Sequence, residues 1–406
     1  MLTNKKYKMS TENPQNVMQS WNLQQSLRTG PVVDDRLAPP DFGKIRTQFI
    51  STWREQQLEN NLDWGVRNFS IYLPESLRVL SSVFLKIRVP ANSGSALFKK
   101  YPGIYAVKEF RILSAGQECY TANVKQHLTD YCQSLSQEKL TAFAKTYLGH
   151  QDTMDDTERV ILVPVLLPNS AYLGRTGSSR GHGIFPAYTG STRVEIQISM
   201  NEAKYLSANV AQQPTSIAGR CSFLYHEQQM SPKNLMHYMD MRGWYSLTNR
   251  RFTELTSGWK AIAANVEVSW FMSQPQGTVS EIMLLATIND ADDAKYTTAY
   301  VKPISLRIEA DNIIQKNLDT PEKINMELYS NGFVSPNDDF SQPARLCFAA
   351  HASESDHLYS GGYKMTLASN IQFFFKFAAA AYYKIVAVQY QKVKITDAGV
   401  LVTSLQ

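Results

Sequence analysis

Strict alternation of apolar and polar positions recurs along this chain. In Val83-Phe-Leu-Lys-Ile-Arg-Val89, Val83, Leu85, Ile87 and Val89 share one side, and Lys86 and Arg88 the other. In Arg193-Val-Glu-Ile-Gln-Ile-Ser199, Val194, Ile196 and Ile198 do the same, and Ile304-Ser-Leu-Arg-Ile308 repeats the pattern. A period of two is that of a half-buried β-strand. Further strands are expected at Phe69–Leu73, Ile104–Leu113, Arg159–Val163, Cys221–Tyr225, Asn265–Phe271, Ala344–Ala350, Tyr363–Leu367, Ile371–Phe377, Lys384–Tyr390 and Val393–Ile395. Val279–Thr287 is apolar almost throughout, as a central strand would be.

Helical spacing is confined mainly to connections. Leu128, Cys132 and Leu135, then Leu140, Phe143, Ala144 and Tyr147, stand three and four apart, which predicts one or two helices between Val124 and Leu148. Proline, glycine and asparagine clusters punctuate the rest. No βαβ rhythm is present. Many short strands without crossover helices point to an all-β chain of two-layer sandwiches, or jelly rolls. The strand pattern occurs twice, so the expected division is an N-terminal arm over 1–40, a first jelly roll over 41–215 and a second over 216–406, with Ser207–Gly219 as the linker and Cys221–Tyr225 opening the second unit.

Length and composition agree with two domains. The chain has 406 residues, 43% of them hydrophobic, 11% aromatic and 19% charged. That is enough to bury two cores. The net charge of +5 is mild and scattered, and Lys5, Lys6 and Lys8 do not make a basic arm, so no specific nucleic-acid binding is expected. Residues 1–10 carry no signal-peptide core. The most apolar tract, Phe373–Val388, is interrupted by Lys376 and Lys384 and is short of the roughly 20 residues a membrane span needs. It reads as two core strands.

Candidate chemistry is sparse. His226-Glu227 lacks the second histidine of a zinc-protease motif, Met230 standing in its place. Asp290, Asp292 and Asp293 suggest a calcium loop, but the glycine position is Lys295. The glycine-rich stretch Gly174–Gly183 has no Lys-Ser/Thr pair for a phosphate loop and reads as a long surface loop. Cys119, Cys132, Cys221 and Cys347 have no CxxC spacing and read as buried thiols from a reducing compartment. As bases for a cysteine nucleophile, His150, His182, His226, His237, His351 and His357 are all open, with no pairing among them. Asp152, Asp155, Asp156 and Glu158 read as a solvated acidic loop. Trp244, Tyr245, Trp259 and Trp270 are expected in the core or as anchors of subunit contacts. No catalytic residue, metal or cofactor is expected.

The order of these segments resembles the double-jelly-roll major capsid proteins of nucleocytoplasmic large DNA viruses and their smaller relatives. The resemblance rests on Ala106-Val-Lys-Glu-Phe-Arg-Ile-Leu-Ser-Ala-Gly-Gln117, with Ala115 where the family has glycine; on Thr278-Val-Ser-Glu-Ile-Met-Leu-Leu285 followed by Ile304–Glu309; and on Ser360–Asn370 followed by Ile385–Val400. It spans about residues 45–405. It implies a structural protein and not an enzyme: a homotrimer whose six jelly rolls form a pseudo-hexagonal capsomer in an icosahedral virion shell, assembled in the cytoplasm or nucleus of the host cell. It further implies contacts with neighbouring capsomers, minor capsid or penton proteins, and an internal membrane under the N-terminal arm. Gly174, Arg175, Arg180 and His182, with Asn331 and Phe333 in the segment 330–341, are the expected assembly or surface loops. A minor capsid, spike or attachment protein, and a carbohydrate-binding or carbohydrate-active sandwich, remain the alternatives.

Overall fold

A computed structural model describes residues 50–404 apart from 59–60, 73–78, 91–97, 115, 134, 152–157, 166–184, 187, 190–191, 208–212, 230–244, 273–277, 289–299, 332, 334–339, 349–362, 365–369 and 397–398. In chain order the first half holds β1 (Ile50–Gln57), β2 (Phe69–Tyr72), β3 (Val79–Val89), α1 (Gly103–Ala106), β4 (Val107–Ser114), β5 (Gln117–Asn123), α2 (Val124–Gln133), α3 (Gln137–Tyr147), β6 (Arg159–Pro164), β7 (Phe185–Pro186), β8 (Tyr188–Thr189), β9 (Thr192–Met200) and β10 (Cys221–Gln229). The second holds β11 (Tyr245–Glu254), β12 (Lys260–Ile262), β13 (Glu267–Phe271), β14 (Thr278–Thr287), β15 (Ser305–Ala310), β16 (Ile313–Leu318), α4 (Pro321–Ser330), β17 (Ala344–Cys347), β18 (Tyr363–Lys364), β19 (Ile371–Lys376), β20 (Ala381–Thr396) and β21 (Gly399–Ser404).

These strands form four antiparallel sheets, two per half. Sheet I runs β1-β10-β3-β6 and sheet II β2-β9-β4-β5; sheet III runs β11-β20-β14-β17 and sheet IV β13-β19-β15-β16. Two tandem jelly-roll sandwiches result, as the alternation predicts. In the first, Val83, Leu85 and Ile87 of β3 meet Ile112 of β4 and Val194, Ile196 and Ile198 of β9 in one core. In the second, Ile282 and Leu284 of β14 meet Leu306, Ile308, Phe373 and Phe375 from β15 and β19. The period-two pattern puts each of these residues on the inner face of its sheet.

The helices cover a sheet face and a sandwich edge. Ser136 caps α3 by accepting the amide of Lys139, and Leu140, Phe143 and Ala144 turn inward. Outside sheet I, Tyr147 of α3 stacks on Phe84 at 5.4 Å, so Phe84 is buried although it lies on the outer side of β3. In the second roll, Thr320 caps α4 with Pro321 as the first helical residue. Lys316 of β16 then pairs with Glu327 of α4 and donates to the carbonyl of Cys347 at 2.8 Å, so α4 bridges β16 and β17 across the edge of the sandwich.

Three expectations are corrected. The strand at Cys221 belongs to the first half's sheet: β10 lies between β1 and β3, with Trp53 opposite His226 and Phe223 opposite Leu85. Pairing partners more than a hundred residues away decide this, and local pattern carries no sign of it. Lys384–Tyr390 and Val393–Ile395 are one strand, β20, because β11 pairs along it from Val386 to Ile395 and holds the polar stretch between them extended. Ile104–Ala106 forms a helical turn before β4 begins. Among the described residues no helix is long and apolar enough to cross a membrane.

Gly103, at the start of that turn, sits where backbones touch. A Cβ there would stand 2.8 Å from Leu148 Cα and 3.0 Å from Ile161 Cγ2, and its amide donates to Leu148 O at 2.9 Å. Gly103→Ala is therefore expected to cost about 1–3 kcal/mol by overpacking, measured as a lowered urea midpoint at unchanged slope.

Candidate functional site

The described chemistry concentrates where the two rolls meet. Register fixes which side chains face that seam. On β14, Ile282, Leu284 and Ala286 enter the second core, so Glu281, Met283 and Leu285 point the other way. Val386 pairs with Met283 and Val388 with Glu281, and both share this outer face. Met283, Leu285, Val386 and Val388 are all buried there, with Tyr300 and partly buried Phe252 and Trp259 around them. β14 is thus covered on both faces, which is why it reads as an almost continuous apolar run. Its outer cover comes from the first roll. Phe252 of β11 meets His127 of α2 edge-on at 4.6 Å, and β5 runs beside β11 and β21.

Arg345 lies at the centre of the seam. It follows from β17's register: Arg345 is opposite Met283 and so faces outward from the second core, toward α2. Its side chain has no exposed surface. Nη1 donates to Glu281 Oε2 at 3.0 Å within the second roll, and Nη2 donates to Asp130 Oδ1 at 2.8 Å across to α2 of the first. Nη2 also reaches Gln133 Oε1 and Gln342 Oε1, both at 3.3 Å. The guanidinium plane stands 4.2 Å from the ring centre of Phe333. One planar fork thus serves two carboxylates from different rolls, a geometry lysine's point charge cannot copy.

A second cluster lies along the same face. Lys125, half-buried in the first turn of α2, is held down to about 7 by lost hydration and then by the positive charges of Lys384 and Lys99. Lys384 faces the seam from β20 and pairs with Glu254 of β11. Tyr300 is pushed up from the usual phenol range, first by burial and then by Tyr105, with Arg345 opposing.

Most residues singled out from the sequence lie away from this seam or outside the described residues. Gly174, Arg175, Arg180 and His182 lie outside the described residues, as do Asp290, Asp292, Asp293, Asp152, Asp155, Asp156 and Trp244. Asn331 ends α4, its Nδ2 donating to Glu327 O at 2.8 Å. Phe333, expected on a surface loop, is buried with Leu328 and Cys347, its ring under the guanidinium of Arg345, where the cation–π contact adds to the apolar burial. His226 stands beside Trp53 with ring centres 4.8 Å apart. All four cysteines are buried. Burial pushes the thiols of Cys119 and Cys221 up to about 12, away from nucleophilic use. Trp270 packs against the second core and Trp259 against the seam cluster.

Sequence reading missed Arg345, Glu281 and Asp130. A signal for two of them exists: Glu281 and Arg345 each interrupt an otherwise apolar strand, and an ionisable residue in such a run must find a partner. Nothing local says that the two share Asp130.

Two measurements bear on the seam. Arg345→Met leaves two buried carboxylates facing each other and is expected to cost about 3–5 kcal/mol of unfolding free energy, with Arg345→Lys recovering only part. For Lys125, the folded value of about 7 lies below the ordinary 10.5. The unfolded chain therefore holds the extra proton between those values, and stability should rise with pH across that window. The melting temperature of the wild type is expected to rise relative to that of Lys125→Met from pH 7 to pH 10; parallel curves would contradict this.

No family model matches the chain, and no curated protein matches it. Solved structures do. The PBCV-1 virus capsid, as a quasi-atomic model, is similar at a TM-score of 0.64 and 10% identity, over 89% of this chain and 98% of that one. The Faustovirus major capsid protein is similar at 0.62 and 9% identity, over 95% and 99%. The mavirus major capsid protein is similar at 0.54 and 9% identity, over 100% and 96%. At such identity the likeness is one of fold, and it runs through both sandwiches: the chain is a double jelly roll.

Proposed function

We propose that the chain is the major capsid protein of an icosahedral virus and forms trimeric, pseudo-hexagonal capsomers. The observation that supports this most directly is the near end-to-end likeness, both rolls included, to viral capsid chains. Physical reasoning agrees. A pseudo-hexagonal tile needs two sandwiches per chain held at one angle, since each relative rotation would propagate into the shell. A seam that buries the outer face of β14 and β20 and shares an arginine between the rolls supports that rigidity.

In this reading the first jelly roll extends through β10 to Gln229, and the second begins after it. The N-terminal arm, 1–40, lies on the inner side, toward a membrane or minor capsid and penton proteins, and the loop from Gly174 to Gly183 takes part in trimer or capsomer contacts. The working location is the virion, after assembly in the host cytoplasm or nucleus. The role is structural, and no cofactor is part of it.

Light scattering of the purified chain tests the proposal. A stable species at three times the 45.9 kDa chain mass is expected, with pseudo-hexagonal particles in negative stain. A monomer at all micromolar concentrations contradicts an autonomous trimer, and isolated fibres or vertex complexes would favour a spike or minor capsid protein.

A further inference from the structure

The segment Phe340–Arg345 belongs by connectivity to the second half, leading into and through the start of β17 in sheet III. Its first residue nonetheless completes the other roll. Phe340 is fully buried in the first core, its ring stacked on Tyr101 with centres 5.3 Å apart. Tyr101 in turn lies 5.3 Å from the ring of His150, beside the join of α3 to β6. The next two residues exchange amides with α2. Gln133 Nε2 donates to Ser341 O at 2.7 Å, and Gln342 Nε2 donates to Gln133 O at 3.3 Å. Arg345 then joins Asp130 of the first roll to Glu281 of the second.

We infer that Phe340–Arg345 is a strap that makes the two rolls a single cooperative unfolding unit. Withdrawing it opens an aromatic-sized void in the first core. It also strands the amide and carbonyl of Gln133 and the carbonyl of Ser341, which are satisfied across the seam. And it separates a buried guanidinium from one of its two carboxylates. The losses coincide because six consecutive residues carry all of them. Ordinary domain interfaces within a chain are more polar and permit relative motion; here one roll contributes core to the other. The inference concerns the single chain and stands whether or not the chain builds a shell.

Hydrogen exchange read by mass spectrometry across a urea series, on the full-length protein, tests it. Peptides from β9 report the first roll and peptides from β19 the second. In the wild type both are expected to lose protection at one urea concentration. In a Phe340→Ala/Gln342→Ala variant the β9 peptides are expected to open first, with the two midpoints separated by about 1 M urea or more. A Phe375→Leu variant, altered only inside the second core, should lower both midpoints together. Separate transitions in the wild type overturn the inference, and so does a double variant whose two rolls still open together at a lower midpoint. If the double variant does not accumulate as folded protein, Gln342→Ala alone is read by the same separation, and coincidence there counts against the strap.

Discussion

Through Ile282–Leu285 of β14 and Ile385–Val388 of β20, sheet III is buried on both faces, and the arrangement of the two rolls follows from that constraint. A jelly-roll sheet ordinarily buries one side and wets the other. Here β14 and β20 send Ile282, Leu284, Ile385 and Ala387 into their own core, and Met283, Leu285, Val386 and Val388 against the neighbouring roll. Apolar area on the second face is stabilised only while the first roll covers it, at about 25 cal/mol per Å² removed from water. The side-by-side placement of the rolls is therefore part of the fold itself, with α2 and β5 supplying part of the cover.

The charged groups in the seam serve registration more than stability. Burying Arg345, Glu281 and Asp130 costs hydration that their mutual attraction recovers only with good geometry, and apolar residues of the same volume would often do as well. What the arginine adds is direction. Its fork accepts one arrangement of two carboxylates, and Phe333 fixes the plane of the guanidinium. Beside it, Lys125, Lys99 and Lys384 place like charges near one another at the same boundary. The seam thus combines one closely matched contact with one that is electrostatically uneasy, and the two are distinguishable by pH.

Much of the fold was legible from residue pattern. The inward residues of β3, β9, β15 and β19 alternate cleanly, and the helices at 124–148 show their spacing, because in each case an apolar face meets the core and the other face carries polar residues. Elements lacking that contrast were missed. β1 is mostly polar and has no apolar alternation: Glu55 on it accepts from Ser222 at 2.5 Å and from Lys86 at 2.9 Å. β16 sits at an edge with Ile313 and Ile314 exposed, and so looks like a loop with stray apolar residues. α4 carries only Ile324 and Leu328 inward.

The amino-acid sequence by itself determined the class of structure: two runs of half-buried strands, a short helical connection, and cysteines that stay buried. These are local properties, settled by which side of each strand can leave water. Tertiary structure alone decided which strands are neighbours and which charges share a partner. β10 joined the first half and not the second, Phe340 crossed into the other core, and Asp130 met Arg345 over 215 residues of separation. Such choices depend on long-range closure and on desolvation at a surface that exists only once both sandwiches have formed. No window of the chain contains that surface.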